Sequence, residues 1–411
     1  MNASRLKGLS LGILTSIGGF VDMGGIITTT QAGAQHRYAL LWTLVPGIIG
    51  LVIYADMAGR VAIASGRTLF DVIRDRLGFR LAFVTLVATM IVNVFTLVVE
   101  IAGMSLVIEI ATGFSYLLWF PILGGLLALL LWKGSFDLLE NGSAVLGLTM
   151  LEAVVAMIAL HPSWGEVSRA VIRPPAETIG PLPVYLFAAI GLLGGYMTPY
   201  QFFFYSSGAI EEEWTGKDLI INRTTSIVGS LFGGIVSFAL IVGAAAVLFP
   251  QGIQVQSLRD AGQPIHDQLG LIGFAAFLLG TFAVSLGAGI ETSLSGAYAV
   301  CQYFGWDWGK HGRPRQAPMF SLTYLTMVIA AVVIALTGVD PIQITVVSLA
   351  VAAASLPFTF APLLIVANDR EFVGDQANTR AINVVAVLIL GLLLLVTIMV
   401  IPLLILTGGG S

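Results

Sequence analysis

Asp22 sits among glycines, in Gly18-Gly19-Phe20-Val21-Asp22-Met23-Gly24-Gly25, inside a stretch that is otherwise apolar. A carboxylate in hydrocarbon costs several kcal/mol unless it is paired or used, so the chemistry open to it is the handling of a cation or a proton. The glycines act on the backbone. Each costs roughly 1 kcal/mol relative to Ala inside a helix. The run therefore predicts a broken helix: residues 8–21, an unwound bend at 22–25, then a second half through Ala34. Such a bend at membrane depth survives only where it lines a cavity or packs against protein. The anomaly recurs in Ile190-Gly191-Leu192-Leu193-Gly194-Gly195-Tyr196-Met197-Thr198-Pro199-Tyr200, where glycines and a proline interrupt a second long apolar run.

Further acids lie in apolar stretches. Asp56 is matched by Arg60 one turn later, which accounts for both as an i,i+4 pair near a helix end. Glu109 and Glu152 read as acids near the interface, where a neighbouring donor suffices. Glu100 falls near the middle of its segment with no basic partner in view, and its roles as proton or ion carrier and as structural hydrogen-bonder stay equally open. Glu291, in Gly287-Ala288-Gly289-Ile290-Glu291-Thr292-Ser293, is surrounded by small residues that suit close helix packing, yet its carboxylate still needs a donor or a cation. His36, His161, His266 and His311 all fall at segment ends or in loops, which removes a mid-span imidazole switch. Tyr200 and Tyr205 follow the second break and are expected to pack with satisfied hydroxyls. No phosphate-cradling loop and no nucleophile with its base is present, so neither an enzyme nor a bound cofactor is expected.

The elements that must position these groups are transmembrane helices. Of the 411 residues, 57% are hydrophobic and 10% charged, and the mean hydropathy is +0.94, which predicts an all-α polytopic membrane protein. Apolar runs divide into eleven segments: 8–35, 39–65, 80–112, 115–133, 142–161, 183–212, 219–249, 271–304, 318–338, 342–367 and 379–407. Interrupted helices in segments one and six predict a transporter built from inverted repeats, of about 8–161 and 183–367, with 379–407 appended. All belong to a single transmembrane domain.

Lysine and arginine placement orients the chain. Arg5, Lys7, Arg60, Arg67, Arg74, Arg76, Arg80, Lys133, Lys217, Arg223, Lys310, Arg313, Arg315, Arg370 and Arg380 fall on one side, and only Arg37, Arg169, Arg173 and Arg259 on the other, 15 against 4 of the 19. The N-terminus is then cytoplasmic and the C-terminus outside, in a plasma (inner) membrane. The first apolar run reads as a working helix, not a cleaved leader. Thr68–Leu77 alternates apolar and charged residues, as a short interfacial helix does. The stretches 162–183, with five of the sixteen prolines, and 251–269 read as irregular solvated connections. Gly408-Gly409-Gly410-Ser411 reads as a flexible linker. The sole cysteine, Cys301, excludes an internal disulfide. The formal charge of -4, with no basic face, excludes nucleic acid as a partner.

The chain resembles the Nramp family of proton-coupled divalent-metal transporters. The likeness rests on Gln31-Ala32-Gly33-Ala34, Tyr38-Ala39-Leu40-Leu41-Trp42, Gly66-Arg67-Thr68-Leu69, Glu100-Ile101-Ala102-Gly103, and Leu356-Pro357-Phe358 with Pro362-Leu363-Leu364. The resemblance implies a LeuT-type fold with discontinuous helices 1 and 6. The departures fall on the chemistry. Where the family has Asp-Pro-Gly-Asn, this chain has Asp22-Met23-Gly24-Gly25. Where it has Ala-x-x-Met-Pro-His, Thr198 takes the place of the metal-binding methionine and Tyr200 that of the histidine. Met197 is one position off, about 100° around a helix. Leu97 replaces an aspartate associated with proton movement, while Glu100 remains.

Loss of the thioether removes selectivity for soft transition metals. Bare Gly24 and Gly25 leave a helix N-terminus able to face an anion. The expected substrate is thus a small oxyanion such as bicarbonate at Asp22, Gly24, Gly25, Gly195 and Thr198. A coupling sodium ion or proton would be handled along Asp22, Glu100, Tyr200 and Glu291. The alternative is a hard divalent cation, magnesium or manganese, with Asp22 as metal ligand. An amino acid or another small solute, and a non-transporting membrane sensor, remain as further readings. The unit is expected to work as a monomer in the bilayer.

Overall fold

The computed structural model describes residues 10–15, 17–310 and 314–408, so Arg5, Lys7, His311, Arg313 and Gly409-Gly410-Ser411 lie outside it. The first span consists of α1 (10–15), a single π-helical turn (Ile17–Val21) and α2 (Met23–His36). There follow α3 (Leu44–Ser65), α4 (Leu69–Thr112), α5 (Tyr116–Lys133), α6 (Phe136–Gly147) and α7 (Leu151–Ala159). A short surface helix, α8 (Trp164–Ile172), leads to the second broken span, α9 (Leu182–Tyr196) and α10 (Pro199–Glu211). The chain ends with α11 (Leu219–Gln251), α12 (Leu258–Phe304), α13 (Pro318–Ala335), α14 (Pro341–Ser355), α15 (Pro357–Val366), α16 (Arg370–Val373) and α17 (Arg380–Thr407).

The boundaries follow local chemistry. Thr68, Ser115, Ser135, Ser257, Asp340 and Thr379 cap the helices they precede, each accepting from a first-turn amide. Left-handed glycines at 66, 113, 252 and 305 end α3, α4, α11 and α12. Gly78 (φ 80°) and Gly270 (φ 63°) bend α4 and α12, turning a surface helix into a span without a break in the chain. The interfacial helix expected near 68–77 is thus the first arm of α4. The stretches 162–183 and 251–269 are not irregular, because α8 and the first arm of α12 fill them. Arg37 reaches across to Glu166 on α8 at 2.8 Å.

Ten helical units among the described residues are long and apolar enough to cross a membrane. The interrupted α1–α2 pair makes the eleventh, and with α9–α10 equally broken the chain has the LeuT-type fold. On the face that carries Arg60, closure is close-packed. A β-carbon at Gly12 of α1 would strike the Thr225 carbonyl of α11, and one at Gly229 would strike the Gly12 carbonyl. Gln201 Nε2 donates to the Thr15 carbonyl at 2.7 Å, and Ser10 Oγ to Asn141 Oδ1 at 2.7 Å. On the same face Tyr298 and the Lys310 backbone donate to Glu211 Oε1 at 2.8 and 2.7 Å. Burial pulls the Lys310 ammonium down to about 8 against the pull of Glu211.

Candidate functional site

The first break is narrower than the sequence suggests. Helix resumes at Met23, and only Asp22 is extended (φ -63°, ψ 174°) after the wide turn at 17–21. Asp22 acts as its own helix cap: Oδ1 accepts from Gly25 N–H at 2.6 Å, and its carbonyl accepts from Ile26 N–H at 2.9 Å. Glu100 Oε2, from α4, accepts from Met23 N–H at 3.3 Å. Glycine is required at 25, since a β-carbon there would lie 2.7 Å from the Phe20 carbonyl oxygen. The amides at 23, 25 and 26 are therefore taken by the protein's own oxygens. Of the two amides expected to cradle an oxyanion, that of Gly25 is taken by Asp22 itself, and the Met23 amide beside them by Glu100.

The second break falls at Met197 (φ -130°, ψ 61°) and Thr198 (φ -73°, ψ 141°), where Pro199 opens α10. The two broken spans are joined by Phe20 stacked on Tyr196, ring centres 4.5 Å apart. Tyr200, fully buried, hydrogen-bonds to Asp22, and Thr198 hydrogen-bonds to Tyr200. Tyr200 thus packs with its hydroxyl partnered, the arrangement expected of it. Met197 turns the other way, its sulfur against Gly50 of α3, so no thioether substitutes for the missing ligand. Gly195 and Gly24 both face Leu349 of α14, at 3.2 and 3.8 Å from its Cδ2 measured from where a β-carbon would stand.

Glu100 and Glu291 are both fully buried. Glu100 Oε1 and both oxygens of Glu291 find no hydrogen-bond partner among the described residues. Both carboxylates act electrostatically on Asp22. No ion pair among the described residues reaches any of the three. The centre thus gathers carboxyl groups with no base paired to them among the described residues. The acids do not converge into a chelating set, since among the described residues no group of three or more His, Cys, Asp or Glu could hold a metal ion. A cation here would meet Asp22, neutral oxygens and its own water.

The remaining acids divide. Arg60 Nε pairs with Asp56 at 2.8 Å as expected, and its guanidinium also reaches Asn378 Oδ1 at 2.7 Å. Tyr205 packs with its hydroxyl satisfied by Asn222 and Ser226, both at 3.1 Å. Glu152 departs from the interfacial reading: both its oxygens are shielded and without a partner among the described residues. His36 is buried at the end of α2, edge-on to Tyr185. Two contributors went unseen in the sequence. Gln201 ties α10 to α1, and Leu349 looks like any other apolar residue of its span.

The family model described as "Natural resistance-associated macrophage protein-like" matches residues 12–402. A "Divalent metal cation transporter MntH" of Deinococcus radiodurans is 25% identical over 382 residues, covering 89% of this chain and 83% of that one. "Divalent metal cation transporter MntH 1" of Pseudomonas aeruginosa is 28% identical over 419 residues, covering 95% and 91%. Among solved structures, an Eremococcus coleocola manganese transporter, in complex with an aromatic bis-isothiourea substituted compound, superposes with a TM-score of 0.78 at 19% identity. It covers 97% of this chain and 87% of that one.

Proposed function

The chain belongs to the Nramp family, and from that premise we propose that it is a secondary transporter of a hard divalent cation, magnesium or manganese, working by alternating access. The observation that carries this reading is the cluster of acids at the centre: buried Asp22, Glu100 and Glu291 with no basic partner among the described residues. The oxyanion reading has no such support, because Asp22 occupies the Gly25 amide it needs and Glu100 adds a second acid beside it, and the relatives named above are metal cation transporters.

Asp22 and Thr198 supply oxygen ligands, with carbonyls of the two breaks and retained water completing the shell, as a hard cation prefers. Gly24, Gly25 and Gly195 let the backbones approach. Met197 faces α3, which leaves the site without sulfur and without a preference for softer metals. Tyr200, Glu100 and Glu291 form the path of the coupling proton or sodium ion. Glu291, with neither oxygen engaged, is the natural resting place of that charge. The face bearing Arg60 is cytoplasmic on the arginine and lysine count, the protein acts as a monomer, and the repeats run over about 8–161 and 183–367.

Isothermal titration of the purified protein with manganese, magnesium and bicarbonate, alongside uptake into liposomes, tests this. Binding of either metal that disappears in Asp22→Ala, with flux down an imposed gradient, is expected. Bicarbonate binding without metal binding sinks the reading, and metal binding without flux of any ion moves the protein to a sensor.

A further inference from the structure

Beyond the breaks, on the face that carries Arg37, lies a cavity of about 80 Å3 whose polar wall belongs to α2. Thr28, Gln31 and Gln35 recur on one face of that helix, and Phe187 of α9 and Val346 of α14 stand opposite. The wall is polar and carries no charge. Its innermost member touches the site, since Thr28 Oγ1 donates to the Gly24 carbonyl at 2.8 Å. Leu349 lines the cavity and also faces Gly24 and Gly195 of the two breaks. Beside it, Thr345 donates its hydroxyl back to the Pro341 carbonyl at 2.8 Å. Its methyl group faces Gly24 at 3.8 Å from where a β-carbon would stand.

We propose that Leu349 is the outer gate and entry filter of the site: an apolar plug seated on the two facing glycines, which bars hydrated solutes until α14 or its own side chain moves. The inference rests on the transporter reading above, but its geometry does not depend on which ion is carried. An apolar constriction holds no water, so it blocks an ion without touching it. Gly24 and Gly195 make the seat: a β-carbon at 195 would press on the leucine at 3.2 Å, and one at 24 would reach it in ordinary contact at 3.8 Å. Closure on the opposite face is made instead by backbone against backbone at Gly12, Thr225 and Gly229.

The test uses thiol labelling in intact cells with a membrane-impermeant maleimide. The native Cys301 is buried and stays silent. Thr28→Cys samples the cavity and Thr198→Cys the site. Thr28→Cys is expected to react whether or not Leu349 is altered. Thr198→Cys is expected to react slowly beside Leu349 and about tenfold faster beside Leu349→Ala, equivalent to about 1.4 kcal/mol of barrier. Leu349→Val, a smaller truncation, gives an intermediate rate and serves if the alanine variant folds poorly. An unreactive Thr28→Cys, a Thr198→Cys that already reacts freely beside Leu349, or a rate unmoved by both truncations overturns the gate. Absent metal uptake with labelling as expected defeats the transport reading and leaves the gate standing.

Discussion

The head of α2 and the head of α10 are the two halves of one site, furnished in opposite ways. At α2 an acid caps its own helix and a second acid, from α4, takes the next free amide. At α10 a proline opens the helix, Thr198 makes no side-chain cap, and the only sulfur nearby faces α3. One half supplies charge and the other supplies neutral oxygen and room. On the proposed reading, the division teaches that affinity and selectivity are separable: the first would be a property of α2, the second of what α10 omits.

The largest effect expected is at the charged half. Asp22→Asn keeps a side-chain oxygen able to cap α2, so melting temperature should move little, while manganese and magnesium affinity fall by roughly a hundredfold or more, since ligand charge sets cation affinity. Titration calorimetry beside a thermal melt reads both, and equal losses in both would mean that Asp22 is only structural. Next comes Glu291→Gln. Replacing a buried carboxyl that has no partner among the described residues should leave the protein at least as stable, lower uptake about tenfold and flatten its dependence on pH. Flux into liposomes across a pH series measures this, and an unchanged profile would take Glu291 out of the coupling path.

At the neutral half the effects are smaller and concern preference. Thr198→Met returns a thioether to the break and should shift the manganese-to-magnesium preference about five- to tenfold toward manganese. Competition uptake reports it. Met197→Leu is the mildest change. Its sulfur faces Gly50, so a swap of similar volume should alter metal affinity by less than about twofold, and a larger loss in calorimetry would show that Met197 turns inward during transport.

Much of this site was legible because its signals are local. Glycines beside an acid, and a proline after a threonine, alter backbone preference wherever they stand, and both helices break at those residues, although the first resumes at Met23 and not after Gly25. The Asp56–Arg60 pair was readable for the same reason. The oxyanion expectation failed on a contact with no local trace, the Glu100 carboxylate accepting from the Met23 amide 77 positions away. Nothing near Gly24 shows that its helix end is already occupied. Leu349 was hidden differently, since a leucine in an apolar span carries no mark of function until its neighbours prove to be two glycines. The helices within 162–183 and 251–269 were missed because proline and charge were weighed there above the Ser257 cap and the apolar side of α8.

The crossing of Gly12 and Gly229 has a mechanical consequence. Where main chains touch with no side chains between them, there is nothing to swivel, and partial loosening would strip contacts along the whole crossing at once. On the proposed reading, opening on the face that carries Arg60 then demands that the inner arm of the first span swing away as a stiff lever, with the bend at Asp22 as its pivot. The residue proposed to hold the cargo would also be the hinge pin of the door.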